Sequence, residues 1–168
     1  YFYETALKIG IQKIRDMAVR LGLGAPTGID LPDEKNGIIP SHEWKLATKG
    51  VVWTPGETVV ASIGQGYVLT TPMQLAVMTA RIANGKDAVV PSLLSKSSSV
   101  SPNFAPLDIS ESALAIIRRG MSAVLYGSAG TASGFKLSKK YGGMAGKTGT
   151  VQVKRITLAQ REKGITQN

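Results

Sequence analysis

The residues best able to do chemistry at close quarters are Gly146-Lys147-Thr148-Gly149-Thr150, a cation and two hydroxyls interleaved with glycine. One chemistry open to such a cluster is phosphate binding. A phosphate-binding loop needs G-x-x-x-x-G-K-[ST] with a helix following at once, so that backbone N–H groups face the anion. Counting back from Gly146, the first glycine of that pattern falls on Tyr141. After Thr148 come Gly149, Thr150, Val151, Gln152 and Val153, a composition that favours a strand over a helix start. Spacing and context both exclude the phosphate loop.

A second chemistry uses the same residues on a strand edge. There Lys147 and the neighbouring Thr148 hydroxyl supply a fixed cation and a donor for a carboxylate. Gly149 removes a side chain where a ligand or another element must approach the backbone. The amide of Thr150 can then face a developing oxyanion. Such a K-T-G strand stands beside S-x-x-K and S-D-N in the motif set of serine β-lactamases and penicillin-binding proteins. Three common residues also fit an ordinary exposed strand end, and the tripeptide alone does not separate the two.

Other polar candidates are weaker. Gly64-Gln65-Gly66 reads first as a tight turn ahead of a helix that opens at Thr71. His42 is the single histidine, with no Asp/Glu cluster spaced around it, so a surface loop is expected rather than a metal or general-base site. Glu4, Asp30 and Glu57 read as loop and cap residues rather than an acid/base pair.

The elements that must position the tripeptide follow from periodicity and punctuation. Residues 4–21 read as helix, with Leu7, Ile11, Ile14, Met17, Ala18 and Leu21 on one stripe, a break at Gly10 and a cap at Gly22. From Gly22 to Gly66 the Gly, Pro and Thr content predicts a long irregular stretch, anchored by Trp44 and Trp53. Thr71 caps the next helix, with Pro72 in its first position and Gln74 closing the capping box. Its buried side is expected to draw on Leu75, Ala76, Met78, Ile82 and Ala83, with Gly85 as its end. Val89-Val90 and Leu93-Leu94 suggest a short strand, and 95–106 a surface loop. Asp108, with Glu111 three residues on, opens another helix carrying Leu114, Ile117, Met121, Val124 and Leu125 toward a core. Met144 to Val153 is expected as a strand.

Composition bounds the function. The chain has 168 residues, 43% apolar and 18% charged, which is globular rather than disordered. No run of 18 apolar residues and no basic-then-apolar leader is present, so any anchor or export signal is expected outside the chain. Cysteine is absent, which excludes a disulfide framework and a Cys-ligated zinc. Twenty Lys and Arg against 11 acids give +9, a balance that suits polyanions. The bases are scattered, and the 6% aromatics do not interleave with them, so base stacking gains little support. A basic nucleic-acid-binding module remains the non-enzyme alternative.

Order and spacing of several stretches add to the tripeptide. YFYE at 1–4, TGIDLPDE at 27–34, P-S-x-x-W-K at 40–45, W-T-P-G-E-T at 53–58, SIGQGYVLTTPMQLA at 62–76 and GKTGTVQV at 146–153 occur in this sequence. On these the chain resembles the elongation-specific class B peptidoglycan transpeptidases, the penicillin-binding protein 2 family, from residue 1 to about Val153. Division-specific class B transpeptidases share the GLG, TP-x-QLA and KTGT pieces and are the nearer alternative. A β-lactam sensor or serine β-lactamase is the more distant one.

The resemblance also implies what lies elsewhere. The family's order is S-x-x-K nucleophile, then S-x-N or S-x-D, then K-T-G, so both earlier motifs are expected upstream of this chain. Ser133-Gly134-Phe135-Lys136 spells S-x-x-K and Ser101-Pro102-Asn103 spells S-x-N. Both stand in the wrong order and are read as loop residues.

By resemblance the fold is a three-layer αβα transpeptidase domain on an antiparallel sheet, incomplete in this chain. Residues 1–168 form part of that one domain, with 1–153 reaching the K-T-G strand and 154–168 irregular and flexible. The implied activity is cross-linking of stem peptides ending in D-Ala-D-Ala through a serine acyl-enzyme, with β-lactams as mimics of the acyl donor. Lys147, Thr148 and Gly149 would bind the substrate, Thr150 would offer an oxyanion-hole amide, and Gln65 would sit on the cleft rim. No cofactor and no metal are implied. The implied partners are peptidoglycan, β-lactams, a SEDS-family glycan polymerase and the elongation machinery, with no nucleic acid. The implied location is periplasmic, on a protein anchored in the inner membrane by a segment outside this chain.

Overall fold

The computed structural model describes residues 1–85, 89–94, 108–149 and 151. It has six α-helices among these: α1 (Phe2–Ile9), α2 (Ile11–Arg20), α3 (His42–Lys49), α4 (Pro55–Ser62), α5 (Pro72–Asn84) and α6 (Glu111–Tyr126). Two short 3₁₀ turns follow at Ser133–Phe135 and Lys139–Tyr141. The chain divides into two compact units, Tyr1–Arg118 and Arg119–Asn168.

In the first unit α1, α2 and α4 pack on one another. Gly10, at φ +81°, divides the first helical stretch in two, as the sequence leads one to expect. Helix α2 ends in a Schellman cap: Gly22 at φ +95° donates to the Val19 carbonyl and Leu23 N donates to the Ala18 carbonyl. Ala6, Ile11, Leu23, Ala61 and Val77 supply the buried apolar side chains of this unit, with Leu114 from the start of α6.

The stretch 22–66 is less irregular than its glycine and proline content suggests, because it contains α3 and α4. Ser41 caps α3 by accepting from Trp44 N at 3.0 Å, and Gly50 closes it at φ +69°. Helix α4 repeats the device used at Thr71. Thr54 is the N-cap, Pro55 the first helical residue and Glu57 the capping-box acid. At eight residues each, the two helices are too short to show a periodic stripe. The tryptophans do order this region. Trp44 and Trp53 both flank the Tyr67 ring, at 5.3 and 6.4 Å between centroids, and Trp53 Nε1 donates to Thr58 Oγ1 at 2.8 Å. His42 opens α3, exposed, instead of lying in a loop.

Helix α5 begins at Thr71-Pro72 and ends at Gly85 (φ +84°), but its buried face is not the expected one. Gln74, Val77 and Arg81 are buried, whereas Leu75, Ala76 and Ala83 are exposed. Two of the three buried residues are polar, which is why an apolar stripe points to the wrong side. The Gln74 amide is fully engaged: Nε2 donates to the carbonyls of Ala25 (2.6 Å) and Asn36 (2.8 Å), and Oε1 accepts from Thr71 N. Arg81 Nη1 donates to the Arg20 carbonyl at 2.6 Å, closing the end of α2, and burial pulls its pKa below the usual arginine value. Arg118 Nε serves the end of α5 in the same way, donating to the Ile82 carbonyl at 2.9 Å.

The β structure among the described residues is one antiparallel bridge, Ile38 to Leu69. The strand expected at 89–94 is a bend instead. Ser92 Oγ donates to Leu94 O and accepts from Leu94 N, so its side chain takes backbone groups that a ladder would use. Helix α6 starts at Glu111, with Ser110 Oγ accepting from Ala113 N, so the cap is Ser110 and not Asp108. Leu114 and Leu125 are its buried residues, while Ile117 is exposed.

Candidate active-site segment

Lys147, Thr148 and Gly149 lie in the second unit. The C-terminal turns of α6 face a returning segment and are hydrogen-bonded to it. Tyr126 Oη donates to the Leu137 carbonyl at 2.7 Å and accepts from Met144 N at 3.0 Å. Gly146 N donates to the Met121 carbonyl at 3.1 Å. A Cβ on Gly146 would stand 3.6 Å from Leu125 Cδ1, ordinary van der Waals contact with the buried leucine of this unit. Between Leu137 and Met144 the chain turns through Lys139–Tyr141, then Gly142 and Gly143 at φ +91° and +79°. Only glycine adopts that pair of conformations freely.

Lys147, Thr148 and Gly149 come directly after these anchors and are exposed. Lys147 Nζ donates to the Thr148 carbonyl at 2.7 Å and stands 3.4 Å from Thr148 Oγ1. Thr148 Oγ1 in turn lies 3.4 Å from Thr131 Oγ1. The ammonium and the hydroxyl are therefore adjacent donors at the surface, as a carboxylate ligand requires. No side chain projects from Gly149, and a Cβ added there would meet nothing within 4 Å. Thr150 lies outside the described residues. No ladder pairs Met144–Gly149 with another described segment.

The sequence around the tripeptide is basic. From Ser112 to Arg161 the sequence contains no Asp or Glu, while Arg118, Arg119, Lys136, Lys139, Lys140 and Lys147 fall within it. A cleft of about 460 Å³, lined by Ser122, Tyr126, Gly142, Gly143, Met144 and Ala145, lies on this unit.

Gln65 belongs to the first unit, half-buried in a turn between Gly64 and Gly66, both at φ +73°. Its N–H donates to the Val60 carbonyl at 3.1 Å, so the turn role read from the sequence is present. Ser133 sits in an exposed 3₁₀ turn, not at the head of a buried helix. The Ser101-Pro102-Asn103 motif lies outside the described residues. Tyr126 and Thr131 are the polar residues that sequence reasoning missed. Neither belongs to a motif, and only the fold brings them to the tripeptide's approach.

Residues 1–164 match the penicillin binding protein transpeptidase domain. The chain is 37% identical to the peptidoglycan D,D-transpeptidase MrdA of Acinetobacter baumannii over 172 residues, covering 96% of this chain and 25% of that protein. Against MrdA of Salmonella typhimurium the identity is 36%, covering 91% and 26%. Among solved structures it is similar to Pseudomonas aeruginosa PBP2 in complex with WCK 5153, with TM-score 0.72 and 38% identity over 80% of this chain and 32% of that one. It is also similar to PBP2 of Helicobacter pylori in complex with MreC, with TM-score 0.66 and 34% identity over 78% of this chain and 24% of that one. The chain thus spans about a quarter of the length of the curated relatives it matches. With a match that runs through nearly all of its residues, the chain belongs to the penicillin-binding protein transpeptidase domain family.

Proposed function

We propose that the full-length protein is a peptidoglycan D,D-transpeptidase of the elongation type, of which this chain carries the K-T-G segment. The observation that carries this reading is an exposed Lys147-Thr148-Gly149 in an acid-free segment of a chain matched by the transpeptidase domain over residues 1–164. In the reaction a serine hydroxyl attacks the carbonyl between the two terminal D-alanines of a stem peptide. The peptide C–N bond breaks, D-alanine leaves with a proton, and an acyl-enzyme remains. An amine of a neighbouring strand then displaces the serine and forms the cross-link. A β-lactam enters at the first step.

Lys147 and Thr148 would hold the terminal carboxylate, Gly149 would leave room for the ligand's backbone, and the Thr150 amide would donate to the oxyanion. Gln65 would stand on the cleft rim. In the whole domain Met144–Val153 would form an edge of the antiparallel sheet of a three-layer αβα fold. The acylated serine is assigned to residues outside this chain, since Ser133 occupies an exposed turn. The MreC complex of the Helicobacter pylori relative supports the elongation machinery, and with it a SEDS-family polymerase, as partners. The same reading gives a periplasmic domain on a membrane-anchored protein. No helix among the described residues is long and apolar enough to cross a membrane.

Labelling the full-length protein with a fluorescent penicillin and mapping the adduct tests this. One adduct per chain, on a serine outside residues 1–168, is expected. An adduct on Ser133, or no adduct, would overturn the reading.

A further inference from the structure

We infer that Tyr126 is a positioning residue for the carboxylate grip, acting through the strap that leads into Lys147. This rests on the transpeptidase reading above. The phenol bonds two backbone points seven residues apart, the Leu137 carbonyl and the Met144 amide. The segment between them includes Gly142 and Gly143 in left-handed conformations, which give the strap little stiffness of its own. The cleft lined by Ser122, Tyr126 and Gly142–Ala145 borders the strap, so packing does not hold it on that side. The Gly146 bond to Met121 is the second fixed point. Met144 to Gly146 are therefore pinned at both ends to α6, and Lys147 is the next residue. With the phenol oxygen gone, the strap loses its Leu137 and Met144 anchors and keeps the Gly146 bond to Met121, so the ammonium beyond it samples a wider range of positions.

The test measures acylation of the full-length protein by a fluorescent penicillin in four forms: wild type, Tyr126→Phe, Lys147→Ala and the double variant. Tyr126→Phe keeps the ring and deletes only the oxygen. Rates are taken as first-order constants of the labelled population, so misfolded protein lowers the amplitude and not the constant. Two neutral hydrogen bonds are lost, and Tyr126→Phe is expected to slow acylation about tenfold at sub-saturating drug. In the Lys147→Ala background the same substitution is expected to change the rate less than twofold, because the group it positions is absent. A tenfold loss in both backgrounds would mean a merely structural tyrosine and would overturn the inference, as would no loss in either. Wild-type protein that takes no label would instead remove the reading on which the inference rests.

Discussion

Lys45 Nζ, on α3, lies 2.6 Å from Glu57 Oε1 at the start of α4, and the same ammonium donates to Glu57 Oε2 at 2.7 Å and the Val52 carbonyl at 2.6 Å. Glu57 also accepts from Thr54 N and Thr54 Oγ1, so one carboxylate closes a capping box and neutralises a buried lysine. The lysine side chain is only 6% exposed and the glutamate 23%. Each partner leaves a costly group behind if the other is removed. Glu57→Ala in the full-length protein should therefore destabilise the domain by about 3 kcal/mol, near the low end for a buried pair. Lys45→Met combined with Glu57→Gln should recover part of that loss. Urea unfolding of the single and double variants reads both values, and additive losses would contradict the coupling.

The same pair sets a pH dependence. Burial works to raise the Glu57 pKa, but hydrogen bonds from Lys45 and Thr54 and the lysine charge outweigh it and hold the carboxyl below its ordinary value. A carboxylate lowered in the folded state stabilises fully above its unfolded pKa, about 4.3. That contribution fades as the pH falls from there through the lowered folded value. Thermal melts of wild type and Glu57→Gln should differ by a constant amount above about pH 5.5 and draw together as the pH falls through the lowered folded value. A gap unchanged in acid would contradict the assignment.

Gly37 and Gln74 form a second joint. Gly37 has φ +65°, and a Cβ there would collide with the Leu69 carbonyl and stand 2.8 Å from Gln74 Oε1. Leu69 is the partner of Ile38 in the antiparallel bridge, so the clash cannot be relieved without opening it. Gly37→Ala is expected to cost about 2 kcal/mol or more, combining left-handed strain with displaced backbone. Gln74→Leu should cost a similar amount by leaving the Ala25 and Asn36 carbonyls without their donor. Chemical unfolding with retained secondary structure checks both.

The parts of the fold legible in sequence are those announced by local chemistry. Gly10, Gly22 and Gly85 end helices because each needs a positive φ, and Thr71-Pro72-x-Gln74 forms a capping box from side chains within one turn. The same signature at Thr54-Pro55-x-Glu57 is obscured by the glycine and proline around it, which favour a loop by composition. The buried face of α5 was not legible. Gln74 and Arg81 are buried by long-range bonds to partners 49 and 61 positions away in sequence, respectively, and no hydrophobic pattern encodes such partners. At the site, Lys147, Thr148 and Gly149 could be picked out by type and spacing. Tyr126 could not, since its role depends on α6 meeting a segment 11 to 18 residues further on.

Thr150 separates side chain from backbone. If its amide is the oxyanion donor, Thr150→Val keeps that donor and the β-branched shape, and acylation of the full-length protein should fall only modestly. Thr150→Pro deletes the N–H and should cost about 2.7–4 kcal/mol, or roughly 10²–10³ in rate. The comparison uses melting temperature and non-covalent ligand affinity to show that proline has left the fold intact. Equal rates for the two variants would remove Thr150 from the mechanism.

The most direct measurement is the rate at which a fluorescent penicillin acylates the full-length protein with Lys147 replaced by alanine. One charge-assisted contact to the substrate carboxylate is worth about 1.5–3 kcal/mol, so acylation should slow by roughly ten- to 150-fold with the melting temperature unchanged. Lys147→Arg should rescue only in part, because a planar guanidinium does not replace a compact ammonium. Acylation of the alanine variant at the wild-type rate would contradict the account and leave Lys147-Thr148-Gly149 an exposed chain segment without a part in the reaction.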